Sequence, residues 1–107
     1  MLDWIQLNHV SQLDEIDRES CLNDNGVAIF KHSTRCSISS MALNRLEKGS
    51  SSIPVYYLDL IAYRTLSNEI ASRYDVEHES PQLIIIKDKK AISHTSHHMV
   101  RAEQLLF

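Results

Sequence analysis

The segment Lys31-His32-Ser33-Thr34-Arg35-Cys36-Ser37-Ile38-Ser39-Ser40-Met41 places one cysteine between an apolar run and a helix-like stretch. A cysteine at the start of a helix meets backbone N–H groups that lack internal partners and the positive end of the helix dipole. A thiolate there accepts those N–H groups, and the thiolate is the nucleophilic form of the side chain. Thr34 and Arg35 stand beside it, and Lys31 and His32 add positive potential nearby. Where a dithiol redox motif has its second cysteine, this chain has Ser39. One helical step puts Ser39 on the same face as Cys36, within reach of the sulfur for its hydroxyl. A serine cannot close a disulfide, so a disulfide attacked by Cys36 would persist as a mixed disulfide until an outside thiol resolved it. The plainer reading of Cys36 is a small apolar residue at a loop edge, and that of Ser39 is a solvated first-turn serine.

The second cysteine, Cys21, falls in a helical stretch beside Leu22 and reads as a buried small side chain. Its other reading is a thiol that reaches Cys36 after local unfolding. His94, His97 and His98 cluster near the C-terminus without an accompanying cysteine or carboxylate motif. They read as solvated polar positions, and no metal site is expected. Tyr56, Tyr57 and Tyr63 read as core and rim residues.

The elements that must hold Cys36 follow from periodicity and punctuation. Trp4–Leu7 is a short strand. Ser11 opens a capping-box-like S-x-x-D before Leu13 and Ile16, giving a helix to about Leu22. Asn23-Asp24-Asn25-Gly26 turns the chain into the continuous apolar run Val27–Phe30, a buried central strand. Ser33 or Thr34 can cap a second helix, whose apolar positions Ile38, Met41, Ala42 and Leu46 are spaced by three and four. It ends near Lys48-Gly49. Ile53–Leu60 is a strand with Pro54 at its entry. Leu66, Ile70 and Tyr74 mark a third helix, and Leu83–Ile86 a further strand. Asp88-Lys89-Lys90 turns into a hairpin partner over Ala91–Thr95, and Ser96 caps a last helix reaching Leu106.

The order β-α-β-α-β-α-β-β-α predicts an α/β fold, a mixed central sheet flanked by helices on both faces. It is the order of the thioredoxin fold. In that layout the loop before the Leu83 strand faces the cysteine with Pro81 in cis. The backbone of Ser80 is then turned toward the site, where it can pair with an extended substrate chain.

The 107 residues fit a single domain, 1–107, with a modest core. Hydrophobic residues make up 43% and charged residues 23%, with a net charge of −3 and no long run of either sign. That balance excludes a nucleic-acid footprint or a polybasic membrane patch. MLDWIQLNHV lacks the apolar core of a signal peptide, and no apolar run approaches the roughly 20 residues of a membrane span. A cytoplasmic location is expected, with both cysteines reduced at rest.

Three stretches together carry a family resemblance: F-K-H-S-T-R-C-S-I-S-S-M-A at Phe30–Ala42, Y-R-T-L-S-N-E-I-A at Tyr63–Ala71 and H-E-S-P-Q at His78–Gln82. They resemble the YtxJ-type monothiol bacilliredoxins over nearly the whole chain. The family's motif is of the T-C-P-I-S or R-C-P-I-S type, and here Ser37 stands in place of the usual proline. The resemblance implies a thioredoxin fold and a cytoplasmic thiol–disulfide oxidoreductase. Cys36 is the implied nucleophile, Ser39 the vacant resolving position, and Pro81 the cis-proline. The implied co-substrate is bacillithiol or a similar low-molecular-weight thiol, with no tightly bound cofactor. The implied partners are S-thiolated client proteins and a recycling reductase. Two other classes remain open on the residues alone. One is a non-catalytic client-binding or redox-sensing module. The other is an iron–sulfur carrier, against which the C-S-I-S motif lacks the glycine and aromatic of C-G-F-S.

Overall fold

The computed structural model describes residues 2–107. Its elements alternate as β1 (Trp4–Gln6), α1 (Gln12–Leu22), β2 (Val27–His32), α2 (Ser37–Glu47), β3 (Val55–Asp59), α3 (Arg64–Tyr74), β4 (Gln82–Lys87) and β5 (Lys90–Ser96). One five-stranded sheet is ordered β1-β3-β2-β4-β5. β1, β3 and β2 run parallel, while β4 is antiparallel to β2 and β5 to β4. This is the mixed α/β sheet the alternation predicts.

Two apolar layers cover the sheet. Leu13 and Ile16 of α1 and Leu66, Ile70 and Tyr74 of α3 pack with Val27, Ile29, Ile84 and Ile86 on one face. Ala42 and Leu46 of α2 pack with Ala28, Phe30, Leu83 and Ile85 on the other. The alternation along β2 and β4 is the period of two that divides a strand between two faces. Both strands are buried on both sides, which is why they read as unbroken apolar runs.

The topology gathers three loops at one edge of the sheet. The parallel strands β1, β2 and β3 all end there, and β4 begins there because Gln82 pairs with Lys31 at the end of β2. The Cys36 loop and the Pro81 loop therefore meet at the same edge.

Two expectations change. The chain after Ser96 forms two short 3₁₀ turns, His97–Met99 and Ala102–Leu105, in place of one helix to Leu106. His97 adopts φ 54° and Arg101 is extended, so the helix cannot propagate. Arg45 of α2 instead donates to the carbonyls of His97 and Val100, each at 3.0 Å. Secondly, Cys21 is exposed, not buried. The inward face of α1 is Leu13, Ile16 and Ser20, and Cys21 lies one residue round the helix from it. Ser20 is the buried member because it holds the β4–β5 turn: its carbonyl accepts the Asp88 N–H and its hydroxyl the Lys89 N–H.

Candidate active site at the Cys36 edge

Cys36 is the N-cap residue of α2, with extended backbone (φ −118°, ψ 123°), and it is half-buried. Its N–H donates to the Ser33 carbonyl at 3.3 Å, and its carbonyl accepts the Ser40 N–H at 3.0 Å. The cap position thus falls on Cys36 itself and not on Ser33 or Thr34. Its side chain makes no capping hydrogen bond in this structure, so the sulfur is not bound to the first-turn N–H groups of α2. Thr34 and Arg35 are exposed in the loop, and Ile38 and Met41 expose apolar surface beside the cysteine.

Ser39 is fully buried. Its Oγ lies 2.7 Å from His32 Nδ1 and accepts the Ser33 N–H at 3.0 Å. Among the described residues, these are its hydrogen-bond partners; the expected bond to the Cys36 sulfur is not among them. A buried ring nitrogen and a half-buried N–H left unpaired would each cost free energy, and the hydroxyl satisfies both.

His32 belongs to β2 and is buried, stacked on Phe30 with ring centroids 5.9 Å apart. Burial pushes its pKa down, against the opposing effects of the Asp59 charge and hydrogen bonding at Ser39. The ring is therefore neutral at neutral pH and does not supply the positive potential expected of it. Lys31 is also part of β2, and it points to the other face. Its Nζ donates to the Ser67 carbonyl of α3 at 3.1 Å and to His78 Nδ1 at 3.3 Å. Neither residue belongs to the loop, because β2 runs two residues beyond its apolar core.

The Ser80–Pro81 peptide is cis, and Pro81 enters the sheet at the end of β2 from which the Cys36 loop departs. Pro81 accepts the His97 N–H through its carbonyl at 3.1 Å. Ser80 Oγ is buried without a hydrogen-bond partner among the described residues.

Cys21 lies at the opposite edge. β4 spans the sheet from Gln82, beside the Cys36 loop, to Lys87, and the turn after it docks on Ser20. At about 3.3 Å per residue the strand puts roughly 17 Å between these two ends of the sheet, far beyond the ~7 Å Cα limit for a disulfide. His94, His97 and His98 are exposed, and the described residues contain no cluster of three or more histidine, cysteine or carboxylate side chains able to hold a metal. Among the described residues, no helix is long and apolar enough to cross a membrane.

Sequence reasoning missed the buried polar residues Lys31, Ser67 and Gln82 beneath the Pro81 loop, and His78, which joins them from the exposed segment before Pro81. The available signal was the continuation of the Val27–Phe30 run into two polar residues without an intervening turn residue.

Comparison with known proteins fits this geometry. A solved structure provisionally described as an oxidoreductase with a thioredoxin fold matches with a TM-score of 0.78 and 27% identity, covering 95% of this chain and 89% of that one. Thioredoxins from Malassezia sympodialis and Fasciola hepatica share the fold. The first has a TM-score of 0.68 at 15% identity, over 94% of this chain and 82% of that one. The second has a TM-score of 0.64 at 16% identity, over 94% and 90%. Together with the family match below, the first of these neighbours supports a thiol oxidoreductase-like role. Residues 5–105 match the family model described as monothiol bacilliredoxin BrxC, and the chain belongs to that family.

Proposed function

We propose that this chain is a monothiol thiol–disulfide oxidoreductase that removes bacillithiol, or a similar low-molecular-weight thiol, from mixed disulfides on client proteins. The observation that carries the reading is the placement of Cys36 as the half-buried N-cap of α2, with the other cysteine at the far edge of the sheet.

The Cys36 thiolate attacks the bacillithiol sulfur of the mixed disulfide. The client–bacillithiol S–S bond breaks, the client thiolate leaves and takes up a proton, and a Cys36–bacillithiol disulfide forms. A second low-molecular-weight thiol then attacks that disulfide. It regenerates the Cys36 thiolate and leaves as a symmetrical disulfide, which a partner reductase reduces. The α2 N-terminus and Arg35 stabilise the thiolate, and Thr34 shapes the loop in front of it. Ser39 supports the thiolate indirectly, by holding the loop. Ser80 and Pro81 form the docking edge along which the client chain pairs. The chemistry needs no bound metal or cofactor, and its setting is the reducing cytoplasm.

Incubation with a bacillithiolated test protein, followed by intact mass, tests the proposal. Uptake of one bacillithiol by this chain is expected, lost in Cys36→Ala and retained in Cys21→Ala. Transfer that survives Cys36→Ala overturns the assignment.

A further inference from the structure

Lys31 is completely buried near the end of β2, yet none of its neighbours is a carboxylate partner within salt-bridge distance among the described residues. An unpaired buried ammonium costs free energy that an apolar side chain of the same length would not. Its hydrogen bonds show where the compensation comes from. One goes to the Ser67 carbonyl of α3, and one to Nδ1 of His78, three residues before Pro81. Burial and the adjacent Lys31 and Arg64 charges lower the pKa of His78, which keeps that nitrogen free to accept. Ser67 Oγ approaches the same nitrogen at 3.4 Å.

The register partner of Lys31 in β4 is Gln82, also fully buried. Its Nε2 donates to the Glu77 carbonyl at 3.0 Å, while its Oε1 has no partner among the described residues. Two adjacent buried polar side chains thus reach up from the sheet and grip the same short segment at Glu77 and His78. The other side of the segment is tied to the end of β5 and the turn after it, where Glu79 accepts the Ser96 hydroxyl at 2.9 Å and the Pro81 carbonyl accepts the His97 N–H. A segment without regular structure is held at three points directly before Ser80 and at a fourth on Pro81 itself.

We infer that Lys31 and Gln82 are positioning residues that hold the Glu77–Pro81 segment from beneath and so set the docking edge for the client chain. Lys31 lies on the α3 face of the sheet and Cys36 on the α2 side, so the pair acts on client binding and not on the sulfur. The inference rests on the docking role proposed above for Ser80 and Pro81.

Hydrogen–deuterium exchange and steady-state kinetics on Lys31→Met, His78→Ala and His78→Asn test it. Amides of His78, Glu79 and Ser80 are expected to exchange at least about 10-fold faster in Lys31→Met and His78→Ala, with β2 and β3 amides within about twofold of the parent in His78→Ala and no faster than the parent in Lys31→Met. With a bacillithiolated protein as substrate, KM rises about 5- to 10-fold while kcat stays within about twofold. The rate of Cys36 alkylation by iodoacetamide, which needs no docking edge, stays within about twofold. His78→Asn replaces the lost acceptor and recovers most of both effects. His78 is exposed, so its variants fold even if Lys31→Met does not. Unchanged exchange at 78–80 in His78→Ala overturns the anchor. A parent protein that takes up no bacillithiol would remove the proposed activity instead, and the exchange measurement would still decide the anchor.

Discussion

Ser39 Oγ and His32 Nδ1 lie 2.7 Å apart beneath the loop that carries Cys36, and the same oxygen binds the Ser33 N–H. The residue at the vacant resolving position is a strut between the first turn of α2 and the end of β2. Ser39→Ala should therefore lower unfolding free energy by about 1–3 kcal/mol, because it strands a buried ring nitrogen and a half-buried N–H. Urea unfolding measures this. Alkylation of Cys36 in the same variant should change less than about threefold, since the hydroxyl is not bonded to the sulfur. A variant of parental stability with a much slower thiol would reverse the assignment and give Ser39 a direct role at the sulfur.

The two thiols offer an internal comparison. Cys21 is the more exposed, so access alone favours it. Reaction with iodoacetamide at pH 7, followed by peptide mass mapping, is expected to label Cys36 at least about 10-fold faster, because only Cys36 lies at a helix N-terminus. Equal and slow labelling of both would remove the basis for the proposed activity.

Lys31 gives a stability prediction with a definite sign. Burial pushes its pKa down to about 8, from the usual 10.5. The unfolded chain keeps this proton up to about pH 10.5, whereas the folded chain releases it near 8, so folding stability rises with pH across that window. Below pH 8 the folded state carries the desolvation cost, on the order of 3 kcal/mol, offset in part by the hydrogen bonds to Ser67 and His78. Lys31→Met should therefore be more stable than the parent by about 1–2 kcal/mol at pH 7. The two should cross near about pH 9, with the parent the more stable by pH 10. Urea titrations at pH 7, 8.5 and 10 check both statements. A variant less stable than the parent at pH 7 would mean that the hydrogen bonds outweigh the desolvation cost. Greater stability with a looser docking segment would show what the lysine is retained for.

Gly26 turns the chain into β2 with φ +86°, and a Cβ there would sit 2.2 Å from the Ile86 carbonyl oxygen. The neighbour is sheet backbone and cannot move aside. Gly26→Ala should cost upwards of about 3 kcal/mol, from the positive φ and the displaced strand together. Thermal unfolding measures it, and a loss under 1 kcal/mol would require β4 to shift freely.

The apolar runs at Val27 and Leu83 and the stripe Leu66, Ile70 and Tyr74 announced their elements, because a buried strand and a helix face need those periods whatever surrounds them. The alternation of elements was enough for the α/β class. The last helix was misread because its failure depends on Arg45, far away in sequence, taking the carbonyls of His97 and Val100. Cys21 was misread because a single helical position changes face with a rotation of 100° per residue, and only packing against the β4–β5 turn selects Ser20 as the inward one.

At the site the division is similar. Residue type and order alone marked Cys36 as the thiol before a helix, Ser39 as the place of an absent cysteine and Pro81 as the entry to a strand. Tertiary structure decided where their side chains turn. It directed the Ser39 hydroxyl to His32, neutralised His32 by burial, and sent Lys31 through the sheet to hold His78. The physical reason is that local pattern encodes which face a residue prefers. The partner a buried polar atom finds is set by long-range register, here Lys31 opposite Gln82, and no periodicity along the chain records it.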